Sequence, residues 1–249
     1  MSSLPPVQEG QFINIAWQKA APAAVPIMAA SVAIIPFFYG FALKSARQLN
    51  DPVHHPIPKF DREMIKSGFK ASPTIGMIVG TQLIAQDRVE KIAMKCMGTK
   101  DPKDVKVMFI SAAIVGLISA PALAVFNGQT IKGRTPMECL RSLSVKQASA
   151  IVTRETSFLL AIRISGPLSE MMKNRTENNK IAQYASMFFT GAIGSLVGHP
   201  ADTALTLWQK NKKISGVSSL MRGSIAKAIA LGGFSVVYNV ISETLKPKN

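Results

Sequence analysis

The amino-acid sequence predicts an all-α membrane protein with six transmembrane helices, and three observations support this prediction. Long apolar stretches recur along the 249 residues, and several reach the roughly 20 residues that a helix needs to cross a bilayer. The chain has 29 Lys and Arg against 14 Asp and Glu, and the cations lie mostly in the gaps between the apolar stretches. A proline followed by a cation also recurs in each third of the chain. We therefore expect one membrane domain over residues 1–249.

Six helices are expected in chain order. They cover roughly 20–46, 68–86, 107–130, 152–172, 181–210 and 222–244. Their Gly, Pro, Ser and Thr residues are compatible with spanning helices that neighbouring helices cover. The second helix has the shortest apolar run. In the gaps, the segment TPMECLRSL is typical of a short surface helix, and loop 47–66 is long enough for another.

Internal repetition is the most informative pattern in the chain. Each repeat has a proline near the C-terminal end of an apolar stretch, behind a run of small residues, and a cation that opens the next stretch. The pairs are Pro36 with Lys70, Pro121 with Arg154, and Pro200 with Lys227. A proline inside a helix removes a backbone donor and kinks the helix. The near-constant phase predicts three unequal repeats, over about 15–95, 96–176 and 177–249.

The distribution of charge predicts an orientation. The loops that follow the first, third and fifth helices hold most of the surplus positive charge. By the positive-inside rule these loops face the negative compartment, and both termini face the opposite side. The net charge of +15 is dispersed over the loops without a nucleic-acid motif, so contact with anionic lipid head groups explains it better than binding to nucleic acid.

Few residues are candidates for chemistry. His54 and His55 have no acid or cysteine at metal-ligand spacing, and we find no nucleophile–base pair, phosphate loop or carboxylate dyad. The sequence therefore predicts no enzyme, no metal site and no cofactor. Arg163 is the one cation deep inside an apolar run. We expect it to face the bundle interior or a protein partner, with Asp202 as a candidate partner.

The third repeat resembles the signature of the mitochondrial carrier family. The segment from Pro200 to Gln209 has the proline, the acid at Asp202 and the final glutamine, and Tyr238 matches the aromatic of the following helix. The resemblance implies three pseudo-symmetric helix pairs in the mitochondrial inner membrane, with both termini in the intermembrane space and bound lipid such as cardiolipin. It also implies that Lys70, Arg154 and Lys227 lie where carriers contact their substrates.

The chain departs from the carrier pattern at the charges that close the carrier. The acid positions hold Phe38, Leu123 and Asp202, the base positions hold Phe41, Phe126 and Leu205, and on the even helices Tyr238 alone fits. We expect an apolar plug at this end and loss of gating, and an unpaired Asp202 within the plug would be costly unless it is protonated or hydrogen-bonded.

Three functions remain open from the sequence. The first is a carrier-like protein that has lost transport and serves as an accessory subunit of a larger inner-membrane assembly, with a respiratory-chain complex as host. The second is a divergent carrier for a small anionic metabolite or nucleotide, for which Lys70, Arg154 and Lys227 would be the substrate contacts; otherwise these three cations contact lipid. The third is a subunit of a protein-import channel, a class that normally has four spans.

Overall fold

The structure, a computed structural model, describes residues 9–101, 103–132, 135–176 and 179–247, with the side chains of 9–16 and 127–132 left out. In this described part, all regular secondary structure is helical, and turns and irregular loops connect the helices. The helices are α1 (Glu9–Ile34), α2 (Phe38–Leu49), α3 (Arg62–Met97), α4 (Val105–Lys132), α5 (Pro136–Arg141), α6 (Val145–Arg175), α7 (Lys180–Val197), α8 (His199–Gln209), α9 (Val217–Leu220) and α10 (Ser224–Leu245). Ile35–Phe37 forms a 3-10 turn between α1 and α2.

The long helices close a ring in chain order. Helix α1 packs on α3, α3 on α4, α4 on α6, α6 on α7 and α7 on α10, and α10 returns to α1 and α2. The ring therefore consists of six helical segments, two of which are broken, α1 with α2 and α7 with α8. Each of the six predicted helices overlaps one of these segments in the same order, but the structure breaks the predicted helices 20–46 and 181–210 into two helices each. Helices α3 and α6 extend well beyond the expected 68–86 and 152–172.

Side-chain caps fix where several helices begin. Asp61 accepts the backbone N–H of Met64 at 2.9 Å and starts α3. Thr135 and Glu138 form a reciprocal capping box at α5, which confirms the predicted surface helix in TPMECLRSL. In the other long loop, residues 51–60 form turns and irregular backbone without a helix.

The three predicted kink prolines lie in different settings. Pro36 sits in the 3-10 turn that separates α1 from α2. Pro200 is in the first turn of α8, which is bent by 48° from α7. A proline is tolerated there because the first helical N–H groups need no intrahelical acceptor. Pro121 lies inside α4, which continues through it as one helix.

Glycines allow two pairs of helices to approach closely. A Cβ atom on Gly80 of α3 would lie 2.5 Å from the Cα of Ile27 in α1. A Cβ atom on Gly194 of α7 would lie 2.1 Å from the Cβ of Ala161 in α6. Small residues at such contacts bring helix backbones together, which is how membrane helices often associate.

Three helical stretches are long and apolar enough to cross a membrane: Trp17–Leu49, Val105–Phe126 and Val217–Leu245. The bent pair Lys180–Val197 and His199–Gln209 makes a fourth if it counts as one span. Helices α3 and α6 are not among these stretches, because they carry more charged residues along their length. The described residues thus contain three to four candidate spans, and the count of six spans stays a prediction.

Candidate functional site

Five charged side chains meet at one end of the ring, around Asp202; we call them the Asp202 cluster. Asp202 Oδ2 lies 2.9 Å from Lys44 Nζ and 3.1 Å from Lys227 Nζ, and its Oδ1 lies 3.4 Å from Arg154 Nη1. Arg154 Nε also donates to Glu155 Oε1 at 2.6 Å. The side chain of Asp202 is only 3% exposed and that of Lys227 only 7%. The cluster is therefore a buried ionic site.

The break between α7 and α8 places Asp202 where these cations can reach it. Asp202 lies in the first turn of α8, where the helix dipole favours a carboxylate. Gln48 of α2 donates to Asp202 Oδ2 at 3.3 Å and to Thr203 Oγ1 at 2.8 Å. Gln82 of α3 donates to Glu155 Oε2 at 3.0 Å. Side chains from α2, α3, α6, α8 and α10 are thereby joined in one network.

Asp202 is not unpaired in the structure. Five of the six positions compared with the carrier pattern are uncharged here, but Asp202 takes its cations from other positions. Lys44 lies one helical turn after Phe41 on α2, while Arg154 and Lys227 come from α6 and α10. A buried carboxylate needs such partners, because an isolated charge in an apolar interior is costly.

A cavity of about 260 Å³ opens above the Asp202 cluster inside the ring. Apart from the cluster and Gln82, most side chains that line it are apolar. They are Ile34, Phe38, Phe41, Ile75, Ile78, Val79, Leu123, Phe126, Phe158, Leu231 and Phe234. Four of the five residues predicted to form an apolar plug are in this set. The fifth, Leu205, is buried in a neighbouring apolar cluster with Ile151.

A second ionic cluster lies towards the other end of the ring, around Arg163; we call it the Arg163 cluster. Arg163 Nε donates to Glu90 at 2.8 and 2.9 Å, and its Nη2 contacts Glu90 and, at 2.5 Å, Asp87. Ser111 Oγ donates to Glu90 Oε1 at 3.3 Å and accepts from Gln86. Arg163 of α6 therefore pairs with carboxylates on α3, and the predicted pairing with Asp202 is wrong.

The Arg163 cluster borders a second cavity, of about 470 Å³. Its walls include Asp87 and Arg163, together with Tyr238, Asn239 and Ser242 of α10. More of its exposed wall is polar than in the first cavity.

A layer of buried apolar side chains separates the two cavities; we call it the apolar layer. It consists of Val79, Leu83, Leu159, Ile162 and Phe234. Val79 and Phe234 line the first cavity, Leu83 and Ile162 line the second, and Leu159 is completely buried in the same core cluster. Tyr238 stacks on Phe234 with ring centroids 5.9 Å apart. The interior of the ring is thus filled at its middle by close-packed side chains.

The three predicted substrate contacts do not come together. Arg154 and Lys227 line the first cavity, whereas Lys70 is exposed on α3 and is not among the residues that line it. The third cation of the site is Lys44, which the sequence analysis did not single out. Gln209 is the last residue of α8 and is half-buried.

Sequence reasoning also missed Gln48, Gln82, Asp87 and Glu90. One signal could have found Gln82, because an amide inside an apolar stretch of helix must find a hydrogen-bonding partner. Within the described ranges, no group of three His, Cys, Asp or Glu could hold a metal ion.

Comparison of the chain with known proteins found no matching family model, no similar curated protein and no similar solved structure. The resemblance to mitochondrial carriers therefore depends on the residues already described.

Proposed function

We propose that this protein is a carrier-like, six-span protein of the mitochondrial inner membrane that does not transport and serves as a structural subunit of a larger assembly, with a respiratory-chain complex as host. One observation carries the proposal. The Asp202 cluster and the Arg163 cluster are both formed in the same conformation, with the apolar layer packed between them.

Transport by alternating access needs two conformations of similar free energy, each closed at one end by its own contacts. In this ring, opening either end breaks a buried ionic cluster and also parts the apolar layer. A protein that closes both ends at once has one stable conformation, which suits a structural subunit.

The placement of charge supports α3 and α6 as the two additional spans. Several of their charged side chains form ion pairs within the ring, namely Glu90, Arg154, Glu155 and Arg163. Mean hydropathy counts these paired charges in full and therefore underestimates how well the two helices can span a bilayer. On the exposed side of α3, Lys70 and Arg88 are 18 residues apart. That separation is about 27 Å along a helix, close to the roughly 30 Å hydrocarbon core, so both cations can reach lipid head groups.

The proposed orientation combines loop charge with the resemblance to carriers. The loop between α2 and α3 and the loop after α8 lie at the end of the Asp202 cluster, where Lys212 Nζ contacts Asp51 Oδ2 at 3.0 Å. This end would face the matrix, with both termini in the intermembrane space. Its surplus cations would favour anionic lipid such as cardiolipin, and the outer apolar faces would contact lipid and other subunits.

Co-purification tests the proposal. An affinity-tagged chain, solubilised in a mild detergent, is resolved on a native gel and identified by mass spectrometry. We expect it in a band far larger than its own 26.8 kDa, together with other inner-membrane proteins. A harsh detergent is the control that should release it. Migration as a free species under the mildest conditions would contradict the proposal.

A second function, a carrier for a small anion, is favoured by the cations in the first cavity. Lys44, Arg154 and Lys227 present three positive groups at its base. Reconstitution into liposomes distinguishes the two functions. Saturable uptake of a nucleotide, phosphate or carboxylate that Lys227→Ala abolishes would replace our first proposal.

The third function, a protein-import channel subunit, is favoured only by the count of three to four candidate spans. Cysteine-accessibility mapping at the ends of α3 and α6 decides the number. Four spans would support this class, whereas six would exclude the usual arrangement of its members.

A further inference from the structure

We infer that the first cavity holds a single-chain amphiphile with a carboxylate head group, of the fatty-acid class, rather than a polar metabolite. The inference rests on the proposed function, which places the protein in a membrane, because the ligand would enter the cavity from the lipid bilayer. It concerns what occupies the ring, not whether the protein transports.

The lining of the cavity decides the class of ligand. Phenylalanine rings and aliphatic side chains cover most of its wall, and the polar groups are confined to Gln82, Ser195 and the Asp202 cluster. A nucleotide or a di- or tricarboxylate would leave most of its polar groups without partners, at a cost of about 1–3 kcal/mol for each buried group. A hydrocarbon chain gains free energy on the same surface as it leaves water.

The charge of the Asp202 cluster fits one negative head group. The cluster has three cations, Lys44, Arg154 and Lys227, and two carboxylates, Asp202 and Glu155. One positive charge is therefore in surplus among side chains that are mostly buried. A single carboxylate at the base of the cavity would neutralise that charge, and a charge-assisted hydrogen bond to Lys44 or Arg154 would hold it.

A gap between α3 and α4 provides a route from the membrane. A groove of about 370 Å³ on the outer side of these helices is lined by apolar residues with a few hydroxyls. It shares Ile78, Gln82 and Leu123 with the first cavity, so these side chains lie between the two spaces. The cavity alone exceeds the roughly 150 Å³ that holds benzene in a dry protein interior. Together with the groove it accommodates a longer chain.

Photolabelling tests the inference. The full-length protein in lipid nanodiscs is labelled with a diazirine-bearing fatty acid, and labelled peptides are mapped by mass spectrometry. We expect labels on α3 and α4 near Ile78 and Leu123. Excess dodecanoate should displace the label, and dodecanol or ADP should need at least about tenfold higher concentration, equivalent to about 1.4 kcal/mol.

Two matched pairs of variants sharpen the test. Leu123→Trp fills the cavity and should abolish the labelling, whereas Leu117→Trp, exposed on the outer side of the same helix, should not. Lys44→Gln removes the surplus positive charge. It should weaken competition by dodecanoate about tenfold and leave competition by dodecanol unchanged. Lys70→Gln should leave competition by both compounds unchanged. If Leu123→Trp does not fold, the two lysine variants decide.

The outcomes separate this inference from the proposed function. Labelling that Leu123→Trp leaves unchanged, equal competition by dodecanol, or stronger competition by ADP would each overturn the inference. Liposome uptake is measured on the same preparations. Saturable transport would overturn the proposed function whatever the labelling shows, while absent labelling without transport would overturn the inference alone.

Discussion

Arg163→Met should be one of the most destabilising single substitutions in the ring. In the native protein the guanidinium holds Glu90, whose side chain is 7% exposed, against α6. Removing it leaves a buried carboxylate with Ser111 Oγ as its remaining donor among the contacts described above. Breaking a fully buried pair costs about 3–5 kcal/mol. Because Arg163 is one-third exposed and Asp87 is 45% exposed, solvent screening lowers the expected cost to about 2–3 kcal/mol.

A double-mutant cycle isolates this interaction. Unfolding free energies are measured in one detergent for Arg163→Met, for Glu90→Gln and for the double variant. The neutral amide of Glu90→Gln no longer needs the guanidinium. The double variant should therefore lose at least about 1 kcal/mol less unfolding free energy than the two single losses added together. Asp87→Asn, at the half-buried carboxylate, is the control and should cost less than about 1 kcal/mol because water screens that pair. A cost below about 0.5 kcal/mol for Arg163→Met, without coupling to Glu90, would refute the structural role of the cluster.

Three further predictions follow from local geometry. Gly80→Ala should destabilise the protein by about 1–3 kcal/mol, because its Cβ atom would collide with Ile27; unchanged thermal stability would contradict the close packing of α1 on α3. Gly166→Ala adds a Cβ atom that meets no other element within 4 Å but crowds the ring of Pro167, the next residue of the helix, so it should change stability by less than about 1 kcal/mol. The hydrogen bond from Lys212 holds the pKa of Asp51 below the ordinary 3.8, so the contribution of Asp51 to stability is present above pH 3.8 and is lost as the pH falls below it. Asp51→Asn should therefore lower the melting temperature slightly and equally at pH 7 and pH 5; a difference that vanishes already at pH 5 would refute this assignment.

The helices were largely predictable from the sequence because apolar runs and patterns of small residues indicate which stretches form helices that pack together. The order of the six segments and the surface helix α5 follow from that record. The length of α3 does not. Its last third, from about Asp87 to Met97, is predicted as a charged loop because it is rich in charged residues. In the structure Glu90 and Ala93 are buried and Asp87 is half-buried, so tertiary contacts keep this charged segment helical.

The ionic site was less predictable, since it depends on which positions meet across the ring. The carrier pattern directs attention to fixed acid and base positions, and those are indeed apolar here at Phe38, Phe41 and Leu123. The charges that pair with Asp202 come from other positions and other helices. A single sequence gives spacing along each helix, but the partner of Lys44, 158 residues away, becomes clear only when α2 and α8 are packed together.

The reason this ring should stay in one conformation lies in α6. That helix carries both Arg154, which belongs to the Asp202 cluster, and Arg163, which belongs to the cluster towards the other end. The two arginines are nine residues apart, or about 13 Å along one continuous helix. Opening one end would move α6 away from its partners there, and because the helix is stiff, the pairing at the other end would be disturbed as well. Alternating access requires the opposite coupling, in which contacts at one end form as those at the other break. We propose that α6 links the two clusters so that they strengthen or fail together, which supports the proposed structural subunit over a transporter.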